Sequence, residues 1–319
     1  MSDALANRLP IIDYARHPAY GAMFAPDEGA RQRALAVLQP LIDEMQEVEA
    51  WKGRTFGYRY GGSGPDGEEL ARTGELKFDL PRGLIDPIGR AADPILSQVK
   101  ARVAAMRTAG ELVHFSDRIE GIDAKIHPEL WSSVDAMLRE TGSYELTSGF
   151  FGGPGAKLKS IGVLYSDGKD RPAGEEAPLA TEGMHIDSAG RCILKAVLYL
   201  NDVGPEQGPF GMIPGSHRWD EGSAGRVYRR AFDRSSLVAR GVKERRLFAS
   251  LPEELQVKAE FGGDILAGST LSRDLIRQES VSLGSKGLMS LFDPEAIHRG
   301  GQARAGERHA ILITVRSRW

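Results

Sequence analysis

His185 and Asp187 stand two positions apart in TEGMHIDSAG, residues 181–190. Far downstream, AIHRGGQARAGERHAILITVRS carries His298 and Arg308. In a β-strand, residues i and i+2 face the same side. The spacing therefore turns His185 and Asp187 into one cavity and Ile186 away from it. Two imidazoles and one carboxylate, with three adjacent positions left open, are the ligand set of a mononuclear non-haem iron(II) site. The lack of clustered thiolates argues against structural zinc. A His-x-Asp tripeptide is a weak signal alone in a chain with seven histidines. A lone strand histidine is more often a hydrogen-bonded core or surface residue.

Arg308 adds context. It follows His298 by ten residues, across the glycine-rich turn RGGQARAGE, and HAILITV reads as the strand beyond. The sequence places Arg308 beside the strand that ends at His298. A guanidinium there can grip a carboxylate through two parallel hydrogen bonds. Such a grip suits 2-oxoglutarate as cosubstrate. Its keto-acid end would take two open metal positions and its distal carboxylate the arginine, leaving the third position for O₂. The other reading of Arg308 is a surface arginine near a turn. Lys159 and Lys195 lie on predicted strands expected to border the cavity. Either can bond the cosubstrate or an acidic substrate, and each can equally reach solvent. His217 reads as a turn residue, His309 alternates away from Arg308, and Cys192 reads as a small apolar core residue.

These residues need a scaffold. From residue 144 onward, YELTSGF, KLKSIGVLY, RCILKAVLYL, PFGMI, KGLMSLF and HAILITV are short apolar or alternating runs bounded by Gly, Pro and Asp. They read as strands. Many short strands without regular intervening helices predict a sandwich or barrel. The N-terminal half reads as helical support. Leu35, Leu38, Ile42, Met45 and Val48 recur at helical spacing over 31–51, interrupted by Pro40. Residues 52–92 read as loop with a short strand. Leu96, Val99, Val103 and Met106 form a second stripe that ends at Gly110. A third helix runs from Pro128 to about Thr141. The expected plan is one domain over 1–319. It has helix-rich support at 1–143, a β core at 144–319, and a loop and helix insertion at 218–258, with LPEEL at 251–255 starting a helix. The insertion carries Arg226, Arg229, Arg230, Arg234, Arg240, Lys243, Arg245 and Arg246. That cluster is either a lid over an anionic substrate or a solvated surface.

Composition sets bounds. The net charge of −3 gives no hint of nucleic-acid binding. One cysteine excludes a disulfide framework. No apolar run reaches the roughly 20 residues a bilayer span needs, and MSDALANRLPIID lacks a signal-peptide pattern. The expectation is a cytoplasmic enzyme acting on a small molecule, with no nucleic acid and no membrane.

Residues 181–316 resemble the phytanoyl-CoA dioxygenase family of iron(II)/2-oxoglutarate-dependent oxygenases. The matching pieces are MHIDS, VLYLNDVGPEQGPFGMIPGSHRW, LMSLFDPEAIHRGG and Arg308. QGPFGMIPGSH is the most specific, with Gly208, Pro214 and Gly215 as its turn residues. The resemblance implies a double-stranded β-helix, or jelly roll, with mainly β structure. It implies His185, Asp187 and His298 as iron ligands and Arg308 as the 2-oxoglutarate clamp. Gly300 and Gln302 depart from the small hydroxyl residue and asparagine that the family often has. Asp187 points away from halogenating relatives, which carry a small residue there. The implied activity is hydroxylation of an unactivated C–H bond in a small organic substrate, with succinate and CO₂ as co-products. Two readings stay open beside it: a cupin-like metalloenzyme without 2-oxoglutarate, and a non-catalytic jelly-roll binder of a small acid.

Overall fold

The computed structural model describes residues 64–111, 113–169, 182, 184, 185, 187, 192–217, 277–294 and 296–317, together with Gly29. Its elements, in chain order, begin with α1 (Gly64–Thr73), β1 (Glu75–Asp79) and α2 (Arg82–Thr108). A 3₁₀ turn (Phe115–Arg118), β2 (Ile119–Gly121), α3 (Pro128–Glu140) and α4 (Ser143–Phe151) follow. The β core contains β3 (Ala156–Asp167), β4 (Ile193–Tyr199), β5 (Gly211–Met212), β6 (Ser280–Val281), β7 (Leu288–Phe292), β8 (His298–Arg299) and β9 (Glu307–Ser317).

Two antiparallel sheets result. The large one has six strands in the order β1-β7-β4-β9-β3-β2, and the small one has the order β6-β5-β8. This is the expected mainly β jelly-roll core with helical support. Strand alternation divides the large sheet into two faces. On one face Ile161, Val163, Ala196, Leu198, Ile311 and Ile313 join Ile95, Val99 and Val103 of α2 and Leu130, Val134 and Leu138 of α3 in one buried cluster. Each such Val, Leu or Ile side chain contributes about 1.5–3 kcal/mol on burial. On the other face Leu164, Tyr199, Phe292 and Ala310 pack with Phe210 and Met212 of the β5 region. Apolar packing between the sheets thus flanks the space in which the site lies.

Several expectations hold and three are corrected. The helices at 128–140 and before Gly110 form, and Gly110 takes the left-handed φ of 73° after α2. Helix α2 starts at Arg82, earlier than its apolar stripe suggests, and contains Pro87 and Pro94. YELTSGF is not a strand. It lies in α4, where Tyr144, Thr147, Phe150 and Phe151 are buried at helical spacing. Gly142 and Gly152, both at φ 67°, bound that helix. Residues 64–73, expected as loop, also form a helix, with Leu70 and Thr73 buried. The 31–51 segment, the insertion 218–258, LPEEL and the arginine cluster 226–246 lie outside the described residues. Among the described residues no helix is long and apolar enough to cross a membrane.

Candidate active site

His298 sits on β8, paired through Met212 to β5. On its other side it forms a single antiparallel bridge with His185. The His298 Nδ1 lies 2.8 Å from the Ala296 carbonyl. That contact fixes the ring with Nε2 facing Asp187. The Asp187 backbone N–H donates to the Pro294 carbonyl at 2.8 Å, just beyond β7. These anchors bring the side chains together. The ligand atoms of His185, Asp187 and His298 lie within 4.8 Å of one another. His185 Nε2 is 3.6 Å from Asp187 Oδ1, and His298 Nε2 is 3.3 Å from Asp187 Oδ2. Burial raises the Asp187 carboxyl, but His298, Lys195 and His185 outweigh it and hold the group well below the usual carboxylate range. Phe292 and Phe210 wall the site, with ring centroids 4.9 and 6.0 Å from His298.

A cavity of about 400 Å³ opens beside the three side chains. Its floor is the inner face of the large sheet. Gly162, Leu164 and Ser166 come from β3, Lys195 and Val197 from β4, and Arg308, Leu312 and Thr314 from β9. Arg308 is buried. It stands opposite Ser166 on β3, not beside the His298 strand. β9 belongs to the large sheet and β8 to the small one, so Arg308 meets the triad across the gap between sheets. One of its N–H groups donates to the Gly300 carbonyl, and another lies 3.4 Å from the Ser166 hydroxyl. Its buried Nε has no hydrogen-bond partner among the described residues. Burial lowers its pKa from the ordinary arginine value.

Two chemical fits follow. Two imidazole nitrogens and a carboxylate oxygen, beside a cavity, suit iron(II) with open positions. A buried guanidinium with an orphaned Nε and one long contact suits a planar anionic partner.

The glycines explain how the loops approach each other. Gly208 has φ 69°, and a Cβ there would lie 2.4 Å from the Ala303 nitrogen. Gly301, at φ 71°, would meet the Pro209 carbonyl at 2.1 Å. The QGPF and RGGQ loops therefore interlock backbone to backbone, which places Gly300 against Arg308.

The other singled-out residues fall as follows. Lys195 lines the cavity, and its Nζ donates to Asp187 Oδ2 at 2.6 Å. Lys159 is exposed at an irregularity of β3 between Leu158 and Ser160 and is not among the cavity-lining residues. That break in register takes it out of the regular alternation. His217 is buried, with Nε2 3.1 Å from the Ala71 carbonyl. His309 points away from the cavity, and its Nε2 is 2.9 Å from Glu307. Cys192 is buried and has a φ of 56°.

Sequence reasoning passed over Asn201. Its Nδ2 donates to the Glu307 carbonyl at 2.9 Å, and its Oδ1 accepts from the His309 N–H at 2.7 Å. It thereby holds the backbone on both sides of Arg308. The signal was its place in LYLND, two residues after the end of β4. Arg118 was also missed; it lines the cavity from the 3₁₀ turn and lies 3.3 Å from Asp167 Oδ1.

Facing sheets, a His-Asp-His cluster that could hold a metal ion and a buried arginine make up the candidate site. Residues 174–310 match the sequence model of phytanoyl-CoA dioxygenase (PhyH). No curated protein sequence matches the chain. Among solved structures, the chain is similar to the non-heme alpha ketoglutarate dependent carbocyclase SnoK from nogalamycin biosynthesis. The identity is 15%, the coverage 78% of this chain and 82% of that one, and the TM-score 0.45. EctD from S. alaskensis with bound Fe is 16% identical, covering 78% and 75%, with a TM-score of 0.46. AviO1 from Streptomyces viridochromogenes Tue57 is 17% identical, covering 78% and 92%, with a TM-score of 0.40.

Proposed function

We propose that this chain is a single oxygenase domain that hydroxylates an unactivated C–H bond of a small organic molecule, with succinate and CO₂ as co-products. The observation that carries the reading is the convergence of His185, Asp187 and His298 in a cavity that also holds the buried Arg308. His185, Asp187 and His298 would hold iron(II), and Arg308 would bind the distal carboxylate of 2-oxoglutarate. Iron with that cosubstrate and O₂ supplies an oxidant able to break an unactivated C–H bond.

The chain's own residues do the rest. Arg308 donates N–H groups to the cosubstrate carboxylate, held in place by the Gly300 carbonyl and Ser166. Asn201 fixes the backbone on either side of it. Phe210, Phe292, Val197 and Leu312 make an apolar surround that excludes water and presents a substrate C–H bond to the metal side.

Anaerobic iron(II) reconstitution tests this. Addition of 2-oxoglutarate is expected to give a weak visible charge-transfer band, and Arg308→Ala to abolish it at the same cosubstrate concentration. Admission of O₂ then yields succinate. A wild-type protein with no band sinks the reading.

A further inference from the structure

The Lys195 ammonium does not sit at the Arg308 end of the cavity. It donates to Asp187 Oδ2 at 2.6 Å, while Oδ1 of the same carboxylate lies 3.6 Å from His185 Nε2. The lysine rises from β4, opposite Thr314 of β9 and Phe292 of β7, so its base is fixed on both sides by the large sheet. Its side chain is about one-third exposed, at 32%, and Asp187 is 21% exposed. An apolar residue at this position would continue the floor made by Val197 and Leu312. A charged one beside a candidate metal ligand calls for a reason.

Coordination arithmetic supplies it. A carboxylate can bind a metal through one oxygen or through both. A two-imidazole, one-carboxylate site keeps three positions open only if the carboxylate uses one oxygen. A keto-acid chelate needs two of those positions and O₂ needs the third. A second Asp187 oxygen on the metal would take one away. An ammonium donor on one oxygen opposes that, because the oxygen would have to give up a charge-assisted hydrogen bond to reach the metal.

We propose that Lys195 is a positioning residue that holds one oxygen of Asp187, keeps that carboxylate a one-oxygen metal ligand and so preserves three positions for cosubstrate and O₂. The proposal rests on the reading of His185, Asp187 and His298 as the iron site. It assigns the lysine a role through Asp187 rather than on 2-oxoglutarate itself.

Co(II) is the probe, because its binding needs no turnover. Calorimetric titration of Co(II), and then of 2-oxoglutarate into the Co(II) protein, is compared for the wild type, Lys195→Met and Lys195→Arg. The Lys195→Met protein is expected to bind Co(II) at least as tightly as the wild type. Its 2-oxoglutarate affinity is expected to fall by about tenfold, the lower end of effects from outer partners of metal ligands. Lys195→Arg, which keeps N–H donors on the carboxylate, restores most of that loss. A lysine that merely fills the metal-free site would also give tighter Co(II) binding in Lys195→Met, but with unchanged 2-oxoglutarate affinity, and that result overturns the proposal. Joint loss of Co(II) binding and melting temperature in Lys195→Met also overturns it, as a purely structural role. A wild type that binds no Co(II) defeats the iron-site reading and the proposal with it.

Discussion

His185 and His298 exchange both of their backbone hydrogen bonds, each at 2.8 Å. In an antiparallel pair, such residues stand directly opposite each other. The two imidazoles therefore leave the backbone from one register position, with ring centroids 4.4 Å apart. Because the link is main chain to main chain, replacing either ring leaves it in place. His185→Ala and His298→Ala are expected to fold with melting temperatures close to wild type and to lose iron binding. The loss should exceed the roughly 10–100-fold typical of outer partners. His309→Ala, on the far face of β9, is the control and should retain iron binding. Equilibrium binding of Co(II) or anaerobic iron(II) reads the difference.

Asn201 offers a way to separate the proposed clamp, Arg308, from the proposed metal ligands. Its side-chain amide bonds the backbone of Glu307 and His309, and Arg308 lies between them. Asn201→Ala removes two hydrogen bonds of about 0.5–1.5 kcal/mol each. The KM for 2-oxoglutarate is expected to rise by about five- to tenfold, given the cost of misplacing one binding group. Iron affinity should not change. A mutant with weakened iron binding and an unchanged KM would contradict this division.

The two interlocked loops give a stability test with an internal control. Gly208 and Gly110 both have left-handed φ values, 69° and 73°. A Cβ at Gly110 meets nothing within 4 Å, whereas one at Gly208 meets the backbone of Gln302 and Ala303 at 2.4 Å. Gly110→Ala is expected to cost about 1 kcal/mol, from the φ alone. Gly208→Ala adds a backbone clash and should cost about 3 kcal/mol or more. Urea denaturation midpoints of the two variants measure the gap. Gly208→Ala should also weaken 2-oxoglutarate binding, since the displaced loop carries Gly300.

Behind Arg308 lies a charged network that ties α2 to the large sheet. Lys100 meets Glu307 at 2.6 Å, Tyr165 donates to both Glu307 and Asp167, and Arg107 meets Asp167 at 2.5 Å. Burial pushes the Glu307 carboxyl up, but Lys100, His309 and Tyr165 outweigh it and bring it to about 2, below the ordinary 4.5. A depressed carboxylate contributes stability that is present above the unfolded value and lost as pH falls through the folded value. Glu307→Gln should therefore be less stable than wild type near neutrality. The difference should shrink between pH 4.5 and about 2. The group is partly exposed, so solvent screening keeps the effect on the order of 1 kcal/mol. Paired melting curves across that range check the trend.

The legible part of this protein was local. His185 and Asp187 could be read as a pair because strand alternation is a two-residue rule. Helix α3 could be read because Pro128 and its apolar stripe agree. YELTSGF misled because Tyr144, Leu146 and Phe150 satisfy a strand alternation as well as a helix. Its burial on the helical face was decided by packing. The strand that carries Arg308 was correctly found, but its sheet was not, since a turn of given length can lead to either sheet. Lys195 on Asp187 and Asn201 on β9 were invisible for a related reason. Each depends on register between strands far apart in the chain, and no spacing rule reports that.

The division of labour between sheets has a last consequence. His298, bridged to His185, hangs from the three-stranded sheet, whereas Arg308 rises from the six-stranded one. The span from one to the other is thus a gauge set by how the sheets stack, with no single side chain fixing its length. A keto-diacid one methylene longer than 2-oxoglutarate, such as 2-oxoadipate, would overrun that gauge. Trimming Leu312 or Val197 should not make room for it, because neither sets the interval.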